Sequence, residues 1–142
     1  MVREEEKVTI HGVTADEVFD FVTNPDRMPE WVGAVVAATS EGDAGVGRII
    51  RSTSSILGIK LDATQTITDF EPPVRLAYEG DKPFPTRFEY TIRPHSDVIE
   101  LTIVGEVEPH GLPGGRFVVG PMIKNQIRNM ARSIQKILET ER

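Results

Sequence analysis

The chain ends in a repeat of apolar positions at spacings of three and four. Ile123, Ile127, Met130, Ile134, Ile137 and Leu138 fall on one stripe of a 3.6-residue helix that begins near Val119. Lys124, Arg128, Arg132 and Lys136 occupy the opposite face, which reads as solvated. The pattern predicts a helix from roughly 115 to 139. What precedes it is β-rich, so this stripe must be buried against a sheet.

The upstream pattern switches between periods. Residues 3–10 alternate toward Val8 and Ile10 and read as a strand. Thr14, with Glu17 three residues on, forms a capping box for a short helix whose apolar face is Val18, Phe19 and Val22. Asn24-Pro25 starts a second short helix, because proline is preorganised for the first helical position, and it ends around Pro29 to Trp31. From Val35 the chain turns to strands. Residues 41–45 form a turn cluster and 46–55 read as extended, with a further turn at Leu57-Gly58. In 59–70, Ile59, Leu61, Ala63, Gln65 and Ile67 share one side. Pro72-Pro73 breaks this strand, and a short one follows over 74–79. After a loop at 80–85, Phe88, Tyr90 and Ile92 alternate with Arg87, Glu89, Thr91 and Arg93. The residues Pro94-His95-Ser96-Asp97 form a hairpin turn, and Ile99, Leu101, Ile103, Gly105 and Val107 are the inner face of the last strand. The predicted order is one strand, two short helices, six strands and one long helix. The fold class is α+β: a curved seven-stranded antiparallel sheet with one wet face, wrapped around the C-terminal helix.

No repeat or second domain is visible, and 1–142 reads as a single domain. No apolar run is long enough for a membrane span, and the charged N-terminus lacks a signal-peptide core. A cytoplasmic protein is the expectation. With no cysteine there is no disulfide, thiol nucleophile or thiolate metal site. A net charge of −6 argues against a general nucleic-acid partner.

Catalytic chemistry leaves no motif. There is no Gly-x-Ser-x-Gly elbow and no phosphate-cradling glycine loop, and Gly114-Gly115 reads as a hinge before the helix. His11 and His95 are brought toward one end of the sheet and His110 toward the other, without metal-ligand spacing. No catalytic residue, metal ligand or cofactor is therefore expected. Alternation puts Arg87, Glu89, Arg93 and Glu106 on the outer face and leaves Arg51 and Arg116 undecided. Gln65, Gln126, Tyr78 and Tyr90 bring amides and hydroxyls to otherwise apolar faces. Each such group, if buried, needs a partner from the protein, a water or a ligand.

Three local patterns add to this order: Asn24-Pro25-Asp26-Arg27-Met28-Pro29-Glu30-Trp31, Ile67-Thr68-Asp69-Phe70-Glu71-Pro72-Pro73, and Gly105-Glu106-Val107-Glu108-Pro109-His110-Gly111. Together they resemble the START-like (SRPBCC) superfamily with its helix-grip fold, and in particular the bacterial polyketide cyclase/dehydrase-like branch. That resemblance implies a cavity between sheet and helix. The expected lining is Trp31, Ala63, Gln65, Tyr78, Phe88, Tyr90 and Ile103, with Val119, Ile123, Gln126, Ile127 and Met130 from the long helix. Small inward residues, Ala63 and Gly105, favour a hollow. Three connections, 56–59, 80–85 and 110–116, are expected at its mouth.

A fold is no warrant for chemistry. The expected function is binding or carrying a small hydrophobic or amphipathic molecule, by a monomer or homodimer. The alternative is a polyketide aromatase/cyclase or dehydratase in the same cavity, with an interaction protein as a third class. Catalysis needs an acid or base inside, and Gln65 and the tyrosines titrate poorly near neutral pH.

Overall fold

The computed structural model describes residues 1–56, 58–82, 84–109 and 114–141, without the side chains of Ile56, Lys82 and Arg116. Strand β1 (Val2–His11) is followed by helix α1 (Ala15–Thr23), a 3-10 turn (Pro25–Arg27) and helix α2 (Met28–Trp31). Strands β2 (Val35–Glu41), β3 (Ile49–Ile56), β4 (Ile59–Glu71), β5 (Arg75–Lys82), β6 (Thr86–His95) and β7 (Val98–Val107) follow, and α3 (Arg116–Glu141) ends the chain. The seven strands form one antiparallel sheet in the order β1-β7-β6-β5-β4-β3-β2. The chain is a helix-grip fold, with the sheet curved around α3.

Local signals account for the helical starts. The Thr14 hydroxyl accepts from Glu17 N (3.2 Å), and Thr14 N donates to the Glu17 carboxylate (3.1 Å), closing the capping box. Asn24 caps the next turn by accepting from Asp26 N (3.0 Å). In α1, Phe21 is buried along with Val18, Phe19 and Val22. Phe19 packs edge-on against Phe70 of the sheet, whereas Phe21 faces Trp31 of α2. The helix is therefore covered on two sides, and a single apolar stripe understates its buried face.

Burial alternates without fault along β7, where Ile99, Leu101, Ile103, Gly105 and Val107 all face inward. In α3, Val119, Ile123, Ile127, Met130, Ala131, Ile134 and Leu138 are buried. Pro121 stands in the second turn of α3 and offers no N–H to the carbonyl four residues earlier.

Three expectations need correction. Of the segment expected to be extended over 46–55, the strand begins only at Ile49; Gly47 and Arg48 still exchange backbone hydrogen bonds with Ile67, and Val46 is exposed in the preceding turn. Ile59 and Leu61 are exposed although they share a side with buried Ile67, because β4 is 13 residues long and its first residues run past the cover of α3. Gly105 does not line a hollow. A methyl group there would sit 3.1 Å from the Phe88 ring and 3.3 Å from Ile123, so its role is to let α3 approach β7 closely.

Two irregularities bend the sheet beside the cavity described below. Between the pairs Thr64↔Lys82 and Thr66↔Glu79, two residues of β5 oppose Gln65 alone. Gly80 is required there, since a Cβ would lie 2.5 Å from the Thr64 carbonyl oxygen. Thr68 is the extra residue on β4 between Ile67↔Tyr78 and Asp69↔Ala77, and its buried hydroxyl has no hydrogen-bond partner among the described residues.

Candidate functional site: a cavity between α3, α2 and the sheet

A cavity of about 190 Å³ lies between the inner faces of β3–β6, the first half of α3, and α2. Period-two alternation delivers its sheet wall. Gln65 pairs with Ile50 and Ala63 with Ser52 across β3–β4, while Tyr78 pairs with Phe88 across β5–β6. Each pair shares the concave face. The helix wall comes from Met122, Ile123, Gln126 and Met130, one turn after another. Met28, Trp31, Val32 and Val35 close the side over β2.

Of the residues expected to line a cavity, Trp31, Ala63, Gln65, Tyr78, Phe88, Tyr90, Ile123, Gln126 and Met130 surround this space. Ile103, Val119 and Ile127 do not. They are at most 1% exposed and form solid core where α3 packs on β7 and β1. Their stripe is the correct one, but it meets the sheet where Gly105 permits contact and leaves no space.

The sequence reading missed Met28, Val32, Val35, Ser52, Ser54, Phe84, Thr86 and Met122. For three of these a signal existed. Met122 stands four residues before Gln126 and so shares its edge of the helix. Ser52 and Ser54 follow inward Ile50 at period two, although a strand reading Ile-Ile-Arg-Ser-Thr-Ser-Ser disguises its facing.

Pairing places the 56–59 turn, the β5–β6 connection and the end of β7 at one end of the sheet. Phe84 of that connection and Thr86 at the start of β6 line the cavity. Met122, 51% exposed, and exposed Gln126 mark the side on which it reaches solvent. Of the expected mouth, Leu57, Pro83 and 110–113 lie outside the described residues, as does the Arg116 side chain.

An aromatic cluster forms the inner wall. Trp31 and Tyr90 meet edge to face with centroids 6.0 Å apart, and Tyr90 and Tyr78 do so at 6.1 Å. The Trp31 Nε1 is buried with no hydrogen-bond partner among the described residues. The Tyr78 hydroxyl lies 3.5 Å from the Val22 carbonyl oxygen, at the outer limit of a hydrogen bond. Burial pushes the Tyr78 phenol well above its usual range, opposed only in part by the Arg48 charge. Burial raises Tyr90 as well, with Tyr78 adding to it. Both phenols therefore stay protonated at neutral pH, able to donate a hydrogen bond but not to serve as a base. Ser52, Ser54, Gln65, Thr86 and Gln126 are the other polar lining residues, and none of them is charged.

The strand charges lie outside. Arg75 and Arg87 bridge Asp69 at 3.1 and 2.7 Å and Glu89 at 3.2 and 2.8 Å, forming one network on the outer face. This network, with Arg75 as the largest cause, holds the Glu89 carboxyl below its usual value. Arg51, undecided from sequence, pairs with Glu41 (3.0 Å) at the surface. Arg48 is half-buried and donates to the Ser40 hydroxyl at 2.6 Å, and it is not part of the cavity wall. Among the described residues no cluster of metal-ligating side chains occurs. His11 and His95 both pair with Val98 from opposite sides, two strands apart, and His11 Nδ1 lies 3.0 Å from Glu139. His110 lies outside the described residues. No described helix is long and apolar enough to cross a membrane.

Comparison with known proteins agrees with this architecture. No curated protein matches the sequence significantly. Among solved structures, a conserved protein from Geobacillus kaustophilus superposes with a TM-score of 0.78 at 20% identity, covering 98% of this chain and 96% of that one. A START superfamily protein from Mycobacterium smegmatis gives 0.70 at 14% identity, over 98% and 95% of the two chains. The di-domain ARO/CYC StfQ of the steffimycin biosynthetic pathway gives 0.78 at 14% identity, with 99% of this chain covering 52% of that protein. These likenesses carry the fold alone. The sequence model for polyketide cyclase / dehydrase and lipid transport proteins matches residues 1–139. The chain therefore belongs to the polyketide cyclase/dehydrase and lipid transport family.

Proposed function

We propose that this protein binds or carries a small hydrophobic or amphipathic molecule in the cavity between α3, α2 and the sheet. One observation carries this reading: the described wall combines an aromatic, apolar surface with a few neutral polar groups and holds no side chain able to act as a base at neutral pH. Recognition of an apolar molecule requires a concave apolar surface with sparse polar fixers. Proton transfer requires a group whose charge changes near the working pH.

Trp31 is the only tryptophan in the chain and stands in the cavity wall, so its emission reports occupancy. An apolar fluorescent probe is expected to bind with one-site stoichiometry and to change Trp31 emission as it saturates. Binding that never saturates, or that leaves Trp31 unaffected, contradicts the proposal.

A second reading, a cyclase or dehydratase acting in the same space, is favoured by Tyr78 and Tyr90, whose protonated phenols suit a proton donor. Loss of turnover in Tyr90→Phe, with probe binding retained, would put that reading in place of the carrier.

A further inference from the structure

We infer that the inner end of the cavity holds the carbonyl oxygen of a small ring ketone, which accepts hydrogen bonds from the hydroxyls of Tyr78 and Tyr90. The inference rests on the binding function proposed above and names its ligand class. Position comes first. Strand pairing steps away from the mouth along β4, with Leu61 opposite Ser54, Ala63 opposite Ser52, Gln65 opposite Ile50 and Ile67 opposite Tyr78. Tyr78 therefore stands deeper than the two serines. Tyr90 joins it from β6, with the ring centroids 6.1 Å apart, and both tyrosines line the cavity. An apolar cavity near 150 Å³ holds a benzene ring, so about 190 Å³ suits one or two fused rings.

The two hydroxyls are poorly supplied with acceptors. Tyr78 reaches only the Val22 carbonyl oxygen, at 3.5 Å, and Tyr90 makes no hydrogen bond to a described residue. A buried hydroxyl left so costs free energy until a ligand or a water takes its proton. Burial keeps both phenols protonated, and the Tyr78 hydroxyl is near enough to oppose ionisation of Tyr90. Two donors thus share one end of the cavity. Trp31, edge to face with Tyr90, adds a third group that can only donate, its buried and unpartnered Nε1. The charge of Arg48, just ahead of β3, also reaches the Tyr78 hydroxyl. Arg48 has only the neutral Ser40 hydroxyl as partner, and its buried Nε has none among the described residues. Positive charge on that side favours an electron-rich atom at the hydroxyls over another donor. A carbonyl oxygen, with two lone pairs, can accept from both phenols.

The test reads the infrared carbonyl band of 2-acetylnaphthalene, carbon-13 labelled at the carbonyl, bound to the full chain. The band is expected at lower frequency than in hexane, and Tyr78→Phe and Tyr90→Phe are each expected to move it back toward the hexane position. Both substitutions keep the ring, and circular dichroism verifies that the variants remain folded. Calorimetry adds 2-isopropenylnaphthalene, which carries a CH2 in place of the carbonyl oxygen. The ratio of ketone to alkene affinity is expected to fall about three- to tenfold in each variant, the usual worth of one hydrogen bond. A band at its hexane position overturns the inference. So does a lowered band that neither substitution moves, because the donor is then a water or another side chain. Failure of the ketone to bind a protein that still takes the apolar probe overturns it too, and leaves the binding function standing. Failure of the probe as well removes the binding function itself.

Discussion

Ile127→Asp is expected to leave the chain unfolded at temperatures where the wild type is folded. Ile127 is fully buried in the middle of α3, against the inner faces of β7 and β1. Removing its side chain forfeits about 1.5–3 kcal/mol of apolar burial. Leaving a carboxylate in its place without a partner costs a further ~3–5 kcal/mol. Domains are stable by only about 5–15 kcal/mol, so the sum consumes much or all of that margin. Circular dichroism on heating checks it, with Ile127→Val, expected to cost about 1 kcal/mol, as the conservative comparison. A wild-type melting temperature for the aspartate variant would mean that this face of α3 is not packed on the sheet.

Ala63→Phe is expected to act in the opposite way, sparing the fold and removing the binding. Ala63 faces the cavity from β4 opposite Ser52, and a phenyl group there enters space that is empty. Affinity for an apolar probe is expected to fall by at least about tenfold, since the displaced probe loses the burial that holds it. Met130→Ala works on the facing wall. It enlarges the space at a stability cost of about 2–5 kcal/mol and shifts preference toward bulkier probes. Titrations of the two variants with a small and a large probe check both effects. If neither substitution alters affinity or size preference, the probe binds somewhere else.

Much of this architecture was legible in the sequence, because two periodicities carried it. Strand β7 alternates so regularly that its inner face was read correctly at every position, and the stripe of α3 gave the buried helix face. Depth was not legible. Ile103, Val119 and Ile127 share a face with the cavity-lining residues, but whether a residue on that face meets packed atoms or a void depends on where the helix touches the sheet. Contact occurs at Gly105, which looked like a sign of hollowness because small residues read alike whether they admit a neighbour or leave a gap. Ile59 and Leu61 show the same limit at the other end. Alternation assigned their side, but only the length of β4 relative to its cover leaves them in solvent. The bulge opposite Gln65 was hidden for a related reason. It depends on how β4 and β5 pair, and within β5 its only mark is Gly80.

The central claim is that one cavity, walled by α3, α2 and the strands, receives one small molecule. Residue-resolved NMR titration with 2-naphthalenemethanol tests it most directly. Perturbations are expected to saturate at one equivalent and to centre on Trp31, Ala63, Gln65, Phe88 and Met130 from four separate elements. Perturbations that spread over the outer face around Arg75 and Arg87, or that rise without saturating, would contradict the account.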